Sequence, residues 1–411
     1  MHIDPQTDSL SYWHATAEPY IPDSQLPATA EAVVIGGGML GVWTTYWLAK
    51  AGVQVVLLEK SAIGWGATGR NGGFLTGGGA IGYQRMIDLL GHENAKSFFA
   101  LSMEGQELPH QIVAEEEIDC DLRRNGTLGL ALTDGELAAM SAQHALLAKD
   151  GFSLKILDRP DVQELIATPL ADEIVGATFA PTGALIHSSK YLAGLARAAE
   201  RHGARIVKGT VESIDARSNG AVVQTSIGSI DAGRVVVALN AWSDTVLPEL
   251  KGVIVPTRGQ ILAYKPSKRV FTTAIGADTT PTGDYWQQTP DGTIIIGGSR
   301  GDAPNGDSDV REMIHTPDVS AKIEQLLPRL FPELTNLEID RRWAGLMAFT
   351  ADGLPIVDHI ESSDAVWFGG GFNGHGMPFG PILGRHLAES IVNNRPATEI
   401  AMLGRNRASL K

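Results

Sequence analysis

The chain has little cysteine, fewer basic than acidic residues and no long apolar run, and each shortage excludes a class of protein. Cys120 is the single cysteine in 411 residues, which excludes an internal disulfide and any cysteine-cluster metal site. We therefore predict no bound metal. No segment approaches the roughly 20 apolar residues that cross a membrane. The 33 basic and 47 acidic residues give a net charge of −14, which repels phosphate backbones and disfavours nucleic-acid binding.

The N-terminal residues carry neither the basic nor the apolar stretch of a secretory signal. Together with the single cysteine, this predicts a cytoplasmic protein. The acidic charge selects no substrate, because solubility alone explains it. The 47 glycines are more informative, because they cluster at 36–41, 64–79 and 369–376. At such places a backbone must come close to another group.

A dinucleotide-binding motif lies near the start of the chain. A short apolar run leads into Gly-x-Gly-x-x-Gly at Gly36, Gly38 and Gly41, and a second apolar run ends at Glu59. Strand, glycines, helix and acid in this order predict a βαβ unit. Gly36 permits the tight turn, Gly38 lets the backbone approach a pyrophosphate, and Gly41 lets the helix pack closely. The pyrophosphate would lie on the helix N-terminus. Glu59 would accept a hydrogen bond from a ribose hydroxyl, beside the other predicted contacts Met39, Leu40 and Lys60.

The length predicts two domains of an α/β protein. Buried parallel strands at 31–60 and 234–242 indicate a dinucleotide domain, and residues 253–300 alternate like an antiparallel sheet. The last helix is expected from about Pro381 to Asn393. We predict an N-terminal arm, 1–28, lying on the surface, a discontinuous cofactor-binding domain at 29–85, 175–245 and 340–400, and a substrate domain at 86–174 and 246–339.

Several motifs along the chain resemble one family. They are the N-terminal fingerprint, the loop Gly-Ala-Thr-Gly-Arg-Asn-Gly-Gly at 66–73, the strand and turn at 235–242, Trp343–Pro355, and Gly371–Gly376. Together they resemble the D-amino-acid oxidase-like superfamily of FAD-dependent amine oxidoreductases. The glycine loop and the opening Ser11-Tyr12-Trp13 are most similar to the γ-glutamylputrescine oxidoreductase branch.

This resemblance implies a cofactor, a fold and a reaction. The cofactor is FAD, and the fold is the p-hydroxybenzoate-hydroxylase-like one, a Rossmann-like FAD-binding domain with an antiparallel-sheet substrate domain. The reaction oxidises the C–N bond of a primary or secondary amine by hydride transfer to flavin N5. The imine hydrolyses, and the electrons pass to O2 or another acceptor. The protein then supplies orientation and electrostatics rather than an essential base.

The resemblance also assigns residues around the flavin. The turn Gly371–Gly376 would point N–H groups at the flavin pyrimidine edge, where negative charge develops on reduction. His375 either shapes that turn or takes part in catalysis, and Val211 either pairs its backbone with adenine or is a core strand residue. The predicted cofactor contacts also include Ala67, Thr68, Arg70, Asn71, Gly72, Gly73, Gly345, Gly371, Asn373, Gly374 and Gly376.

Three side chains are candidates for substrate contact. Arg70 has five fixed N–H donors, which would bind the flavin or a substrate anion, or would tie loop carbonyls together. Tyr285 and Trp286 lie on one predicted strand. Either ring would form an aromatic wall for a cationic amine or would fill a sheet core.

Departures from the family pattern narrow the range of expected substrates. Glycine oxidase-like sequences carry an arginine where this chain has Met347. Sarcosine oxidase-like sequences carry a lysine where Phe349 aligns and a flavin-linking cysteine where Gly345 aligns. The missing cysteine predicts non-covalent FAD, and a histidyl link stays open. An unpaired carboxylate in an apolar pocket costs several kcal/mol, so we expect an amine whose reacting end has apolar neighbours.

Two alternatives stay open beside this prediction. One is a glycine- or sarcosine-type amino-acid oxidase with a relocated arginine, Arg70, Arg258 or Arg300. The other is a flavoprotein subunit that is active only with a partner. The lysine that sarcosine oxidases use to activate oxygen is absent where Ile294–Ile296 aligns, which leaves oxidase and dehydrogenase both open. The oligomeric state is not predicted.

Overall fold

A computed structural model describes residues 10–280 and 282–410. Residues 1–9 of the predicted arm therefore lie outside the described residues. The helices are α1 (Tyr12–Ala15), α2 (Met39–Lys50), α3 (Tyr83–Leu90), α4 (His92–Glu115), α5 (Asp134–Lys149), α6 (Arg159–Leu165), α7 (Ser188–Arg201), α8 (Pro317–Leu330) and α9 (Gly376–Val392).

The strands come in chain order from one end of the described chain to the other. They are β1 (Thr29–Ile35), β2 (Val55–Glu59), β3 (Phe74–Leu75), β4 (Thr127–Ala131), β5 (Lys155–Asp158), β6 (Gly176–Ala180), β7 (Ala184–Leu185), β8 (Arg205–Lys208), β9 (Val211–Arg217), β10 (Gly220–Thr225), β11 (Gly228–Val237), β12 (Val255–Tyr264), β13 (Ala274–Ala277), β14 (Asp284–Gln288), β15 (Ile294–Gly297), β16 (Ile339–Phe349), β17 (Ile356–Ile360) and β18 (Ser363–Gly370).

Most strands of the first sheet are parallel, and both faces of the sheet are covered. Its strand order is β17-β18-β11-β1-β2-β8, and β9 and β10 extend it as an antiparallel pair beside β11. Val34 pairs in parallel with Val236 on one side and with Leu57 on the other. Continuous runs of Val, Ile and Leu suit these strands, because both of their faces are buried. Helices α2, α7 and α9 pack together on one face.

The second sheet is almost entirely antiparallel. Its order is β16-β12-β15-β14-β13-β4-β6-β5, with only the pair β13 and β4 parallel. Helix α8 covers one face, where Leu262, Trp286 and Ile296 are buried. The opposite face carries Ile261 and Trp343. The two sheets match the predicted combination of a Rossmann-like domain and an antiparallel-sheet domain.

The N-terminal segment differs from the expected surface arm. Tyr12 and Trp13 are buried against Ile261, Ile295 and Trp343 of the second sheet. The prediction of a surface position was wrong for this part, because the polar and proline-rich composition of the segment concealed two aromatic side chains that gain free energy by burial.

Two other boundaries also differ from the expectation. The last helix begins at Gly376, with Pro381 inside it, so Pro381 does not mark its start. Strand pairing places β6 and β16 in the second sheet, although the predicted cofactor-binding segments include them. The residue boundaries of the two domains stay a prediction.

Candidate flavin site

The first glycine motif forms a turn that leads into α2. Gly36 has φ +108°, and a Cβ there would lie 2.8 Å from the Ala238 carbonyl oxygen. A Cβ on Gly41 would lie 1.9 Å from the Gly36 carbonyl oxygen. By contrast, the nearest atom to a Cβ on Gly38 is Thr68 Oγ1 at 3.8 Å. The turn and the helix packing thus need Gly36 and Gly41, whereas space remains in front of Gly38.

Glu59 stands beside this turn. Its Oε2 accepts a hydrogen bond from Gly37 N at 2.8 Å, and Oε1 accepts one from Ser61 N at 2.7 Å. Burial raises the pKa of the Glu59 carboxyl, and these two N–H donors oppose that rise. Gly209 N donates to the Glu59 carbonyl oxygen, which brings the start of β9 at Val211 to the same edge.

Lys60 lies over an aromatic ring of the segment that follows β11. Its side chain is exposed, and Nζ lies 5.2 Å from the ring centroid of Trp242. The structure therefore places Met39, Leu40 and Glu59 at the α2 N-terminus, and Lys60 at its margin. The charge of Lys60 opposes the rise in the pKa of the Glu59 carboxyl that burial causes.

The glycine loop is tied to α2 and to the second sheet. Thr68 Oγ1 accepts a hydrogen bond from Met39 N at 3.0 Å, and Ala67 begins the short 3₁₀ helix that holds Thr68. Arg70 is buried, and its Nε and Nη1 donate to the carbonyls of Trp65 at 3.2 Å and Ala344 at 3.1 Å. These bonds support the prediction that Arg70 ties loop carbonyls together.

The second half of the loop is held by side chains from several elements. Asn71 Oδ1 accepts hydrogen bonds from Gly73 N at 2.9 Å and Ser188 Oγ at 2.7 Å. The Gln287 amide donates to the Gly72 carbonyl. A Cβ on Gly72 would lie 2.9 Å from the Tyr285 ring. The loop therefore passes close over the face of the second sheet that carries Tyr285.

Helix α1 holds this loop from the N-terminal side, a contact that sequence reasoning missed. Ser11 Oγ donates to the Gly69 carbonyl at 2.5 Å, and Trp13 Nε1 donates to the Asn71 carbonyl at 2.6 Å. The His14 ring stacks on Trp65 with centroids 4.5 Å apart. The sequence signal for this contact is the aromatic pair in Ser11-Tyr12-Trp13, within a segment that is otherwise polar.

The second glycine motif precedes α9. Asn373 has φ +52°, its N donates to the Ala348 carbonyl, and its Oδ1 accepts from Thr350 N at 2.9 Å. Gly371 N donates to Asn240 Oδ1 at 3.0 Å. Asn240 belongs to the strand-and-turn motif at 235–242 and was not among the predicted site residues. It thus supports the turn.

His375 and Gly374 complete this turn. His375 Nδ1 lies 3.1 Å from the Asn373 carbonyl oxygen, which places the proton on Nδ1, and burial lowers the pKa of His375. This contact favours the turn-shaping role over direct catalysis. Gly374 is exposed, and within the described part of the chain the N-cap residue His375 makes no side-chain cap on α9. The first N–H groups of α9, at Gly376 and Met377, therefore lack a cap from His375.

Alternation along the second sheet separates the two candidate aromatic residues. Trp286 is fully buried among Phe271 and Phe331 on the α8 face. Tyr285 lies on the opposite face, half-buried, with its ring centroid 5.7 Å from that of Phe74. The structure brings Tyr285 to the glycine loop and leaves Trp286 in the core.

Tyr285 shares its face with the C-terminal part of β16. Gly345 packs on Arg70, where a Cβ would lie 2.9 Å from Arg70 Cβ. The half-buried Met347 places Sδ 3.5 Å from the Cβ position of Gly374. Phe349, also half-buried, follows on the same face. Met347 and Phe349, which stand where relatives carry a cation, therefore lie beside the turn before α9.

The arrangement fits a flavin dinucleotide. Among the described residues, the N-cap residues Gly38 of α2 and His375 of α9 make no side-chain cap, and Thr68 Oγ1 accepts from the Met39 N–H of α2. Gly38 leaves space at the first helix, and Gly374 is exposed at the second. Helix N-termini with backbone N–H groups facing such space suit the anionic pyrophosphate and the electron-rich flavin edge. Fold and site together define a two-domain dinucleotide-binding oxidoreductase.

Comparisons with known proteins identify the family. The model of the FAD dependent oxidoreductase family, DAO, matches residues 31–390. The chain belongs to this family and is an FAD-dependent oxidoreductase, and non-covalent FAD is typical of the family. The predicted fold class, FAD and enzyme class are thereby confirmed.

Individual relatives agree with this assignment. The chain is 30% identical over 393 residues to γ-glutamylputrescine oxidoreductase of Escherichia coli K12, covering 92% of this chain and 88% of that protein. It is 26% identical over 379 residues to glycine oxidase of Bacillus licheniformis, covering 90% and 95%. The structure of L-proline dehydrogenase from P. horikoshii matches with a TM-score of 0.78 and 26% identity over 92% of this chain and 96% of that one.

The described residues contain neither a helix that could span a membrane nor a cluster of metal-binding side chains. Within residues 10–280 and 282–410, no helix has the length and apolar character needed to cross a membrane. In the same part of the chain, no group of three or more His, Cys, Asp or Glu side chains is placed to hold a metal ion.

Proposed function

We propose that the protein oxidises the C–N bond of an amine related to γ-glutamylputrescine. The observation that carries the proposal is the half-buried wall of Met347, Phe349 and Tyr285 beside the turn before α9. The γ-glutamylputrescine oxidoreductase relative, at 30% identity, supports the same substrate class. The exact amine and the mechanism belong to this proposal.

The protein side of the reaction follows from the site. The α2 N-terminus, Glu59 and the turn before α9 would hold FAD, which would supply the two-electron acceptor for oxidation of the amine to an imine. Met347 and Phe349 would flank the reacting carbon and exclude water, and the Tyr285 ring would face the cationic amine. The N–H groups at the start of α9 would stabilise negative charge at the flavin edge. Water would then hydrolyse the imine to a carbonyl compound and a free amine.

The glycine- or sarcosine-type alternative needs a cation near this wall. Arg258 does not supply it, because its Nε and Nη2 are 3.0 Å and 2.7 Å from the Asp307 carboxylate oxygens. Arg70 serves the loop carbonyls. Arg300 lies at the wall, with its guanidinium carbon 4.7 Å from the ring centroid of Phe349, so it is the candidate cation for this alternative. The single cysteine supports a reducing, cytoplasmic location as part of the proposal.

The test uses the visible spectrum of the purified flavoprotein. Under anaerobic conditions it is mixed separately with γ-glutamylputrescine, putrescine, sarcosine and glycine, and air is then admitted. We expect the amines to bleach the flavin. The rate of reoxidation in air then separates an oxidase from a dehydrogenase.

Two other outcomes contradict the proposal. Bleaching by sarcosine or glycine alone would establish the amino-acid oxidase alternative. A bound flavin that no compound bleaches would favour the partner-dependent flavoprotein, and adding a lysate fraction that restores bleaching would establish it.

A further inference from the structure

The C-terminal end of the described chain returns to the segment that supports the turn before α9. Helix α9 begins at that turn and runs for 17 residues, about 25 Å. Two short 3₁₀ helices follow it, Thr398–Leu403 and Ala408–Leu410. Between them, Arg407 bonds to Asp352, which lies just after β16. We call residues 404–410 the C-terminal segment.

Arg407 and Asp352 form a buried ion pair with two hydrogen bonds. Arg407 Nε lies 2.6 Å from Asp352 Oδ2, and Nη2 lies 2.9 Å from Oδ1. The exposed fraction is 8% for the Arg407 side chain and 0% for that of Asp352. The other donors of the guanidinium reach the carbonyls of Leu403, Gly404 and Leu354 at 2.8, 3.3 and 2.9 Å. All five N–H groups of Arg407 therefore have a partner.

The two charges depend on each other, because both are almost completely excluded from solvent. Ser409 Oγ also donates to Asp352 Oδ2 at 2.7 Å. Burial raises the pKa of the Asp352 carboxyl, but the hydrogen bonds from Arg407 and Ser409 outweigh this effect and hold the pKa below its usual value. Removing one partner of a buried pair leaves an uncompensated charge, which is much more unfavourable than losing an exposed pair. The pair thus holds the C-terminal segment in place.

Hydrogen bonds join this pair to the turn before α9. The Leu354 carbonyl, which accepts from Arg407 Nη2, also accepts from Thr350 Oγ1 at 2.7 Å. Thr350 Oγ1 accepts from Asn373 Nδ2 at 3.3 Å, and Thr350 N donates to Asn373 Oδ1 at 2.9 Å. Asn373 Nδ2 also donates to the Gly371 carbonyl at 2.5 Å. A continuous path of hydrogen bonds therefore links Arg407 to the turn.

The turn needs this support because of its backbone conformation. Asn373 has φ +52°, in the left-handed region that residues other than glycine adopt at a cost in free energy. Such a conformation persists only where the surrounding structure holds it. The Asn373 side chain is buried, and its contacts with Thr350 are part of the path that ends at Arg407. The C-terminal segment therefore helps to fix the conformation of the turn.

We propose that Arg407 is a positioning residue for the flavin, which acts through Thr350 and Asn373 on the backbone N–H groups of the turn before α9. This inference goes beyond amine oxidation: it rests on the proposed contact between the flavin and that turn, and it does not depend on which amine is oxidised. N–H groups held at the flavin edge favour the more negative, reduced flavin. Loosening them should therefore make reduction of the flavin less favourable.

The first experiment measures the reduction potential of the bound flavin. In Arg407→Met we expect the affinity for reduced over oxidised flavin to fall about tenfold, within the range for a charge near a helix N-terminus. For a two-electron couple this lowers the potential by about 30 mV. Arg407→Lys, which keeps the charge, should lower it less. Ser409→Ala keeps the ion pair and removes one bond to Asp352, so it should fold and shift the potential in the same direction by a smaller amount.

Leu327→Ala is the control for a general loss of stability. Leu327 is buried on α8 in the core of the second sheet, and truncating a buried leucine destabilises a protein by an amount similar to breaking a buried ion pair. The variant leaves the bonds of Arg407 and Asn373 intact. We therefore expect its flavin potential to equal that of the wild type.

A second experiment needs neither substrate nor turnover. Coupling between two sites is reciprocal, so FAD should slow hydrogen exchange of the C-terminal segment when it is added to the FAD-free protein. Leu327→Ala should show the same slowing as the wild type. In Arg407→Met the slowing of this segment should be lost, because its link to the turn is broken.

The outcomes separate this proposal from the proposed amine oxidation. An unchanged potential in both Arg407→Met and Ser409→Ala overturns the positioning role, as does an equal shift in Leu327→Ala. If the potential shifts as expected while no amine bleaches the flavin, amine oxidation fails and the positioning role stands. If amines bleach a flavin whose potential is the same in the wild type and in both variants, amine oxidation stands and the positioning role fails.

Discussion

Gly38 and Gly41 belong to one motif, yet their surroundings differ. A methyl group on Gly41 would overlap the Gly36 carbonyl oxygen, 1.9 Å away, whereas one on Gly38 would enter open space. Gly41→Ala should therefore lower the free energy of unfolding of the FAD-free protein by about 1–3 kcal/mol, the usual cost of overpacking. Gly38→Ala should leave that free energy nearly unchanged. Denaturant titration of the two FAD-free variants measures the difference.

Both variants should lose FAD, for separate reasons. In Gly38→Ala the methyl group would occupy the space through which the pyrophosphate approaches, and in Gly41→Ala the turn itself would be displaced. The flavin-to-protein absorbance ratio reports this loss. A Gly38→Ala protein that retains full flavin content would contradict the placement of the pyrophosphate at this turn.

Single residues also show which parts of the site could be predicted from the sequence. The glycine and acid spacing was sufficient to predict the roles of Gly36 and Gly41, because both follow from local geometry. Alternation predicted that Tyr285 and Trp286 face opposite sides of a strand, but not which side meets the flavin loop. That choice depends on Gly72 and Phe74, which are distant along the chain and lie against the Tyr285 ring. The predicted cofactor contacts as a set remain a prediction.

At the scale of elements, the position of α1 depends on a neutral histidine, His187, at the start of α7. His187 Nδ1 accepts a hydrogen bond from Lys190 N at 3.3 Å and caps α7. His187 Nε2 lies 2.9 Å from Thr16 Oγ1, directly after α1. Burial, followed by the charge of Lys190, lowers the pKa of His187 to about 4. A protonated ring would turn its accepting nitrogen into a donor facing another donor.

This geometry predicts acid sensitivity of the folded state. The folded protein keeps His187 neutral, whereas the unfolded chain binds a proton below about pH 6.5. The free energy of unfolding therefore falls as the pH falls from 6.5 toward 4, and His187 accounts for about 2 kcal/mol between pH 7 and pH 5. Denaturant titrations at these two pH values measure the loss.

His187→Asn provides the comparison, because asparagine caps a helix without titrating. Its loss between pH 7 and pH 5 should be smaller than that of the wild type, with the remainder coming from other buried histidines such as His14. Equal losses in both proteins would mean that His187 is not the group that titrates. The docking of α1 could not be predicted from the sequence, because the partners of Trp13 and Thr16 lie far along the chain.

At the scale of the whole molecule, the cofactor site joins parts that are far apart in sequence. The α2 N-terminus and Glu59 come from the first sheet, the glycine loop is tied to β16 of the second sheet, and the turn before α9 lies near the C-terminal end. The sequence alone predicted both sheet types, because their patterns of apolar residues are local. It could not predict how β16 contacts both the loop and the last turn, because that depends on packing between the sheets.

A ligand that bridges these parts should stabilise all of them at once. FAD at about 100 times its Kd should add about 2.7 kcal/mol to the free energy of unfolding, which corresponds to a rise in Tm of about 3 °C for a chain of 411 residues that unfolds as one unit. FMN lacks the adenosine half that Glu59 and α2 would hold, and NAD lacks the flavin that the α9 turn would hold. Each should therefore raise the Tm of the FAD-free protein by less than FAD does. If NAD raised it as much as FAD, the turn at Gly371–Gly376 would contribute nothing to cofactor binding, and its assignment as the flavin contact would fail.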